Sequence, residues 1–450
     1  MPGSVSGAIL ANPGNLSWEG RDLFTPQQLF GEVEASADVL THAPFLERAR
    51  DEHERDRDLS ARLALGAYLV SRLADRVLGT NGSGGREGLL WQLDAVRRHL
   101  RDLPADSPEA AHLHGITDAI PLEGQPLASL RLSLMAYAYF LEHEGRLEEG
   151  LEILALAVRT HGPAVPPADF AASALFAGRL NRLLARWTTA IACYSAAESA
   201  AGTAKDLVLV LRARLGGGAV HRGQGNLPLA CRVAEEVASS AHEAGHREVE
   251  AMAHADIGAT LMVEGRKVEA VQTIYRSFLL SDDLLQRTRV LGDLGIALAD
   301  IAAYDAARTA FEIVLRSRTS FMVRMNAVLE LMDLESTMGD RMAFQRRRSE
   351  AEAGRLRMPP SMLADFHYKA GVGLARFGRV ARGRELLEAG QRHAEEHRLN
   401  AWYFRFEKVL ANLSACERAE PDATAEAEKD QPPAIQEVAI GLREFALQAS

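Results

Sequence analysis

A small residue that recurs at a nearly fixed interval is the feature that most constrains how this chain can fold. It marks the turn of a helical hairpin, and the successive intervals are 40, 40, 40, 37, 37 and 39 residues. The seven turn residues are Gly145, Ala185, Gly225, Gly265, Ala302, Gly339 and Gly378. Such a period predicts stacked helical hairpins, none of which can bury its apolar face alone.

Two further positions keep a constant distance from each turn, and most of their residues are small. The position seven residues before the turn is Ala138, Gly178, Gly218, Gly258, Gly295, Met332 and Gly371. The position five residues after it is Gly150, Ala190, Ala230, Ala270, Ala307, Phe344 and Gly383. Small side chains here let two antiparallel helices pack closely, which is a steric requirement and says nothing about ligands.

The combined pattern, as in Gly258 to Leu261 followed by Gly265 to Ala270, resembles the tetratricopeptide repeat (TPR) signature over roughly residues 125–395. The resemblance implies an all-α, right-handed superhelical solenoid of antiparallel helix pairs that binds a protein or peptide in its concave groove. The period near 40 is longer than the family's usual one and resembles the repeats of bacterial transcription regulators and peptide-sensing receptors. HEAT or armadillo repeats have a similar period and remain the structural alternative.

Composition narrows the class of protein further. A formal charge of −10 and a pI near 5.8 argue against a general nucleic-acid binder, which needs a basic surface to displace counterions. Three scattered cysteines cannot staple a chain of this size and indicate a reducing compartment. Because the sequence shows neither an export signal nor a run of 18 apolar residues, we expect a cytoplasmic protein with no membrane span.

The sequence divides into six predicted segments. They are a flexible lead-in (1–24), a diverged N-terminal helical region (25–124), the TPR-like array (125–399), a capping helix (400–416), a charged linker (417–434) and a short amphipathic helix (435–450). The last segment carries Ile435, Val438, Leu442, Phe445 and Leu447 largely on one side. Such a helix frays, packs on the last repeat, or docks in a groove of its own chain or a neighbour's.

The inner face of the first helices is the candidate binding surface. Its residues are Tyr139, Glu142, His143, Arg179, Arg182, Arg212, Arg222, Met252, Met262, Asp293, Asp300 and Tyr368. Arginine can clamp a carboxylate with two parallel hydrogen bonds, while methionine and tyrosine accommodate an apolar anchor. The pattern predicts a groove for a protein or peptide partner that carries acidic or carboxylate groups.

The most specific catalytic motif is His393-Ala-Glu-Glu396-His397, which matches the pattern of inverted zinc peptidases. The two imidazoles share one helix face. However, the segment falls at the solvent side of the last repeat, and the chain that follows it offers its carboxylates mostly from the predicted linker, a poor scaffold for a third ligand. The sequence therefore favours a solvated helix end and no metal.

Other catalytic signatures are absent or explained by packing. The glycines of 216–218 and 223–225 lack the preceding strand and the Lys-Ser or Lys-Thr of a phosphate loop. No nucleophile elbow occurs, and Cys193 and Cys231 fall within apolar helix faces.

We therefore expect a non-enzymatic scaffold with no catalytic residue and no cofactor. The alternative is a regulatory receptor that binds a peptide or its own C-terminal helix and controls a separate effector. An enzyme with an unrecognised site is the least favoured class.

Overall fold

The computed structural model describes residues 41–448 except 55, 79–85, 105, 122–126, 162–164, 398 and 414–430. These residues form twenty α-helices and one short 3-10 turn, and no strand occurs among them. The predicted all-α architecture of antiparallel helix pairs is confirmed, and the fold is a TPR-like helical repeat. The predicted lead-in and most of the predicted linker lie outside the described residues.

Four helices precede the repeats. They are α1 (Ala43–Glu54), α2 (Asp58–Leu78), α3 (Arg86–Arg101) and α4 (Pro108–Asp118). Helix α4 begins with an N-cap, because the Ser107 side chain accepts a hydrogen bond from the Ala110 backbone N–H and Pro108 occupies the first helical position.

Seven helix pairs follow, and each pair has a first and a second helix. The pairs are α5 (Ala128–His143) with α6 (Leu147–Arg159), α7 (Pro167–Leu183) with α8 (Trp187–Ala204), α9 (Leu207–Gly223) with α10 (Leu227–Glu243), α11 (Arg247–Glu264) with α12 (Lys267–Leu280), α13 (Leu284–Ala299) with α14 (Tyr304–Arg316), α15 (Phe321–Thr337) with α16 (Arg341–Gly354), and α17 (Pro360–Arg376) with α18 (Val380–Glu396). The 3-10 turn, Arg355–Arg357, follows α16.

All seven turn residues predicted from the sequence adopt the left-handed conformation, with φ between +57° and +82°. Glycine enters this region freely and supplies five of the seven. Ala185 and Ala302 adopt it at φ +57° and +59°, where a Cβ atom is unfavourable. The residues both before and after the turns that were predicted to be small are buried in every pair. At Gly295 a Cβ atom would lie 2.5 Å from the Phe311 ring, so the close approach of α13 and α14 requires glycine there.

The chain forms two compact units. Unit 1 comprises 1–142 and 147–220, and unit 2 comprises 143–146 and 221–450. One apolar core runs through unit 1 from Phe45 on α1 to Ala213 on α9. The predicted domain limit between 124 and 125 stays a prediction, and residues on both sides of it contribute to this core.

A buried polar cluster joins the N-terminal helices of unit 1 to its first repeat. Arg48 of α1 forms ion pairs of 2.8 Å with Glu109 of α4 and 2.8 Å with Glu149 of α6. The Tyr137 hydroxyl of α5 donates to Glu109 at 2.9 Å. Because both carboxylates are buried, their pairing with Arg48 is needed to offset the loss of hydration.

Two helices complete unit 2. Helix α19 (Asn400–Ala411) packs its buried Phe406 against Gly390 of α18, where a Cβ atom would lie 2.4 Å from the ring. The second is α20 (Pro433–Gln448), the predicted amphipathic helix, which packs on α12 and α14.

Four of the five residues predicted on the apolar side of α20 pack against the repeats, but Leu447, near the end of the helix, is 79% exposed. Ile435, Val438 and Leu442 are buried in the same core cluster as α12 and α14. The Phe445 ring meets Phe278 of α12 edge-on, with centroids 5.1 Å apart. The Arg287 guanidinium lies 4.6 Å and 4.7 Å from the centroids of these two rings. Helix α20 therefore docks on second helices of unit 2. None of the described helices combines the length and apolarity needed to cross a membrane.

Candidate functional site: the charged faces of the first helices

Successive first helices contact one another, as α11 does with α13, α13 with α15, and α15 with α17. Side chains on these helices therefore meet across a spacing close to the repeat period. We count positions backwards from each turn residue. Positions −3, −9 and −13 of the first helices carry many of their charged side chains.

In unit 1, three predicted site residues come together around a buried phenylalanine. The Tyr139 ring of α5 stacks on Phe176 of α7, with centroids 4.4 Å apart and planes 12° apart. The Arg179 guanidinium lies 5.1 Å from the same Phe176 ring. Arg179 Nη2 also donates to Glu142 Oε2 at 2.6 Å. Since Glu142 already engages Arg179, that arginine is a weaker candidate clamp than the sequence indicated.

Arg182 of α7 and Arg212 of α9 differ from Arg179. Both side chains are half-buried, and both have an Nε atom that is shielded from solvent and has no hydrogen-bond partner in the part of the chain that the structure describes. No ion pair involves either residue among the described ranges. A half-buried guanidinium with no acidic partner leaves its desolvation uncompensated, so these two groups favour an external anion.

The equivalent arginine in unit 2 shows what Arg182 lacks. Arg222 occupies position −3 of α9, as Arg182 does of α7. Arg222 Nη1 donates to Asp256 Oδ1 at 2.7 Å, and Asp256 follows it by 34 residues at position −9 of α11. The residue 34 after Arg182 is Gly216, at position −9 of α9. Arg182 therefore has no carboxylate at the place where Arg222 finds one.

Gly216 has a packing explanation of its own. The ring of Tyr194, from α8, fills the space beside it, and a Cβ atom on Gly216 would lie 2.1 Å from that ring. No aspartate fits there while Tyr194 stays in place. Arg212 stands four residues before Gly216 and hence on the same face of α9. The Tyr194 ring thus excludes an acidic residue from position −9 of α9, and α9 carries no acidic residue at any other position.

Unit 2 presents acids at the same register. Asp256 and Asp293 occupy position −9 of α11 and α13. Asp293 reaches solvent, yet desolvation by the surrounding protein raises its pKa to about 6, with Arg289 and Arg222 opposing the rise and Asp256 adding to it. Because solvent screens an exposed carboxylate, the effect of this shift on stability is small.

A second charged group in unit 2 was missed by sequence reasoning. Lys369 of α17, only 12% exposed, donates to Glu330 at 2.7 Å and to Asp365 at 2.8 Å. Burial raises the pKa of both carboxyls, and Lys369 opposes the rise. Burial lowers the pKa of Lys369, but the two carboxylates outweigh it and the net shift is upward. The signal was available, because Glu330 and Lys369 continue the position −9 series of Asp256 and Asp293.

The remaining predicted site residues are placed as follows. Met252 and Met262 are half-buried on α11, and His143 is exposed at the end of α5. Asp300 follows α13 as its C-cap and lies 3.9 Å from Lys267 of α12. Tyr368 packs against Trp402 and Phe406 of α19, with ring centroids 6.0 Å and 5.8 Å away. Tyr368 and Asp300 are thus accounted for by packing and capping.

The two described cysteines do not offer a nucleophile. Burial raises the pKa of Cys193 to about 12. Burial and the nearby Glu235 raise the pKa of Cys231 to about 11. Because the thiolate is the reactive form, both side chains are unreactive at neutral pH.

Comparison with known proteins gives structural neighbours only. No family model matches the chain, and no curated protein matches it in sequence. Among solved structures, the chain is similar to the Rap conjugation gene regulator of plasmid pLS20 in complex with the Phr* peptide, at 13% identity and a TM-score of 0.46, covering 85% of this chain and 96% of that one.

Two further neighbours are also Rap-type proteins. Aspartyl phosphate phosphatase F from Bacillus subtilis has 10% identity and a TM-score of 0.43, covering 73% of this chain and 93% of that one. A Rap protein complexed with competence and sporulation factor has 10% identity and a TM-score of 0.41, covering 82% and 99%. At such TM-scores and identities, these similarities bear on neither the ligand nor the activity of this chain.

Proposed function

We propose that this chain is a long-period TPR scaffold that binds a protein or peptide through the first helices of its repeats and catalyses nothing itself. The observation that carries the proposal is the pair of half-buried arginines in unit 1, Arg182 and Arg212, which have no acidic partner among the described residues. The ligand is then an acidic segment or a free C-terminal carboxylate, because planar oxyanions match the guanidinium fork.

Apolar contacts complete the proposed surface in unit 1. Tyr139 is 43% exposed and rests on Phe176, so its ring is fixed by stacking while one face stays open to a ligand. A rigid aromatic side chain beside charged hydrogen-bond donors is typical of peptide-binding hot spots. The stacked ring would supply affinity, and the arginines would supply orientation and charge selectivity.

A displayed peptide library tests the proposal, because selection from random peptides requires no candidate partner. Peptides selected on the wild-type chain should be rich in Asp and Glu or depend on a free carboxyl terminus. Their affinity should fall about tenfold or more in the R182M/R212M variant, since each charge-assisted hydrogen bond contributes about 1.5–3 kcal/mol. Methionine keeps much of the apolar stem, so the change removes mainly the charge.

The matched control is R186M. Arg186 lies in the same unit and donates to Glu148 at 2.5 Å, so its charge is already satisfied within the chain. We expect R186M to bind the selected peptides as the wild type does. Equal peptide affinities for R182M/R212M and R186M would show that Arg182 and Arg212 do not bind the peptide.

A regulatory receptor is the second candidate, favoured by the docking of α20 on the repeats of its own chain. In that case, peptide binding and the docking of α20 are coupled. Removing residues 433–448 should then change peptide affinity by at least about threefold, which exceeds ordinary additivity error. An unchanged peptide affinity would contradict the regulatory receptor and leave the scaffold as the proposed function.

A further inference from the structure

The C-terminal end of α18 gathers metal-donor side chains. His393, Glu396 and His397 each offer one ligand atom, and these atoms lie within 4.8 Å of one another. The two imidazole rings are 4.4 Å apart between centroids. The sequence analysis favoured a solvated helix end here, because the segment was expected on the solvent side and the following carboxylates come mostly from the predicted linker. In the folded chain, Glu396 itself lies within the cluster.

His393 is held in an orientation that suits metal binding. Its Nε2 lies 3.0 Å from the Pro360 carbonyl oxygen of α17. Since a carbonyl only accepts, this contact places the proton on Nε2 and leaves Nδ1 with its lone pair. Metal-binding histidines commonly donate their other ring N–H to a carbonyl in this way, which fixes both the tautomer and the ring.

His367 faces the same region from α17. It is only 8% exposed, and its Nδ1 is shielded from solvent with no hydrogen-bond partner in the described ranges. Its ring centroid lies 6.5 Å from that of His393.

We propose that His367, His393, Glu396 and His397 form a binding site for a divalent transition-metal ion of the zinc class. Imidazole nitrogens with one carboxylate suit zinc, nickel or copper, whereas magnesium and calcium prefer all-oxygen sites. Two donors on one zinc ion at about 2.1 Å each can be at most about 4.2 Å apart, so His393, Glu396 and His397 must close by a few tenths of an ångström. His367 lies outside this group of three, with its ring centroid 6.5 Å from that of His393, so its imidazole must move further to join them.

The position of the site also suits a cation. It lies at the C-terminal end of α18, where the helix dipole favours positive charge. With His367 on α17 and the other three donors at the end of α18, the ion would fix the end of one helix to its partner. The role that follows is to stabilise the final helix pair.

A second histidine and glutamate group in unit 2 provides a contrast. His242 and His254 lie 3.2 Å and 3.7 Å from opposite oxygens of Glu250. Arg276 Nη2 also lies 3.3 Å from Glu250 Oε1, so a guanidinium occupies the place that a metal ion would need. This group is the natural negative control for zinc uptake.

Calorimetric titration of the tag-free full chain with zinc chloride, after chelator treatment, tests the site. We expect one zinc per chain, and a loss of affinity of at least about tenfold in H393A, H397A and E396Q. Glu396 is exposed, so E396Q separates ligand loss from misfolding. The same ion should raise the thermal midpoint of the wild type and not that of H393A.

His367 and the control variant complete the test. H367F should weaken zinc binding as the surface variants do, and H242A should leave it unchanged. The site would be overturned by a wild-type chain that takes up no more zinc than H393A, or by H242A losing zinc to the same extent. Unchanged affinity in H367F would overturn the assignment of the ligand from α17.

Discussion

The two units share their packing positions but differ in the charged face of their first helices. Position −9 holds Ala136, Phe176 and Gly216 in unit 1, but Asp256, Asp293, Glu330 and Lys369 in unit 2. The buried positions flanking each turn stay mostly small in both units, because close helix approach requires it. Position −9 varies more between the units, although at Gly216 the Tyr194 ring restricts it to glycine.

The two units also differ in whether the arginine and lysine side chains of their first helices form ion pairs within the chain. In unit 2, Arg222 pairs with Asp256 and Lys369 pairs with Glu330, while Arg287 lies over the Phe278 and Phe445 rings. In unit 1 Arg182 and Arg212 have no such partner among the described residues. One repeat fold can thus neutralise an arginine internally in unit 2 and leave the equivalent arginine in unit 1 available to an anion.

The largest effect is expected where unit 2 is covered by α20. Leu442→Ala should reduce the stability of α20 docking by about 2–5 kcal/mol, because a fully buried leucine leaves a cavity. Hydrogen exchange of α12 and α14 should then accelerate while that of unit 1 stays unchanged. Leu447→Ala is the control, since Leu447 is 79% exposed on the same helix. Equal acceleration in both variants would contradict the packing described.

The next effect concerns the internal pairing of unit 2. Lys369→Met should lower the free energy of unfolding by about 3 kcal/mol at neutral pH, because Glu330 and Asp365 lose their cation while largely buried. The deficit should shrink toward about pH 4 as the two carboxyls protonate. Urea unfolding at both pH values measures it, and K369M/E330Q/D365N should recover stability. A deficit that does not depend on pH would show that packing, and not charge, is lost.

Sequence reasoning found what local packing dictates and missed what depends on contacts between helices. The turns and small positions repeat along the chain, so a periodic pattern was sufficient. The pairing of Arg179 with Glu142 joins residues 37 positions apart on two first helices, which no local pattern shows. The sequence predicted that Tyr368 faces a ligand, but in the structure Trp402 and Phe406 of α19 pack against its ring.

A third prediction installs the unit 2 acid in unit 1. Gly216→Asp should destabilise the chain by about 1–3 kcal/mol, because the new side chain overlaps the Tyr194 ring. Replacing Tyr194 with leucine, the residue at the equivalent Leu154 and Leu387, should relieve the overlap in G216D/Y194L. Thermal unfolding of G216D, Y194L and G216D/Y194L checks this. If G216D is as stable as the wild type, Tyr194 does not restrict this position.

The smallest effect is expected at Asp293. Its raised pKa means that the folded state binds a proton more strongly than the unfolded state, so its contribution to stability falls as pH rises toward about 6. Asp293→Asn should therefore increase stability at neutral pH, by less than about 1 kcal/mol because the group is exposed. The gain should vanish below about pH 4. Asp282→Asn is the control, because the Asp282 side chain is 79% exposed. An equal gain in stability there would show that desolvation by the surrounding protein does not cause the gain at Asp293.

The most direct measurement is the affinity of one acidic peptide for G216D/Y194L and for Y194L alone. The double variant supplies Arg182 with the internal carboxylate that Arg222 already has. We predict that Y194L binds the peptide and that G216D/Y194L binds it about tenfold or more weakly. Equal affinity for the two variants would contradict the claim that the unpaired arginines of unit 1 bind an anionic segment of a partner.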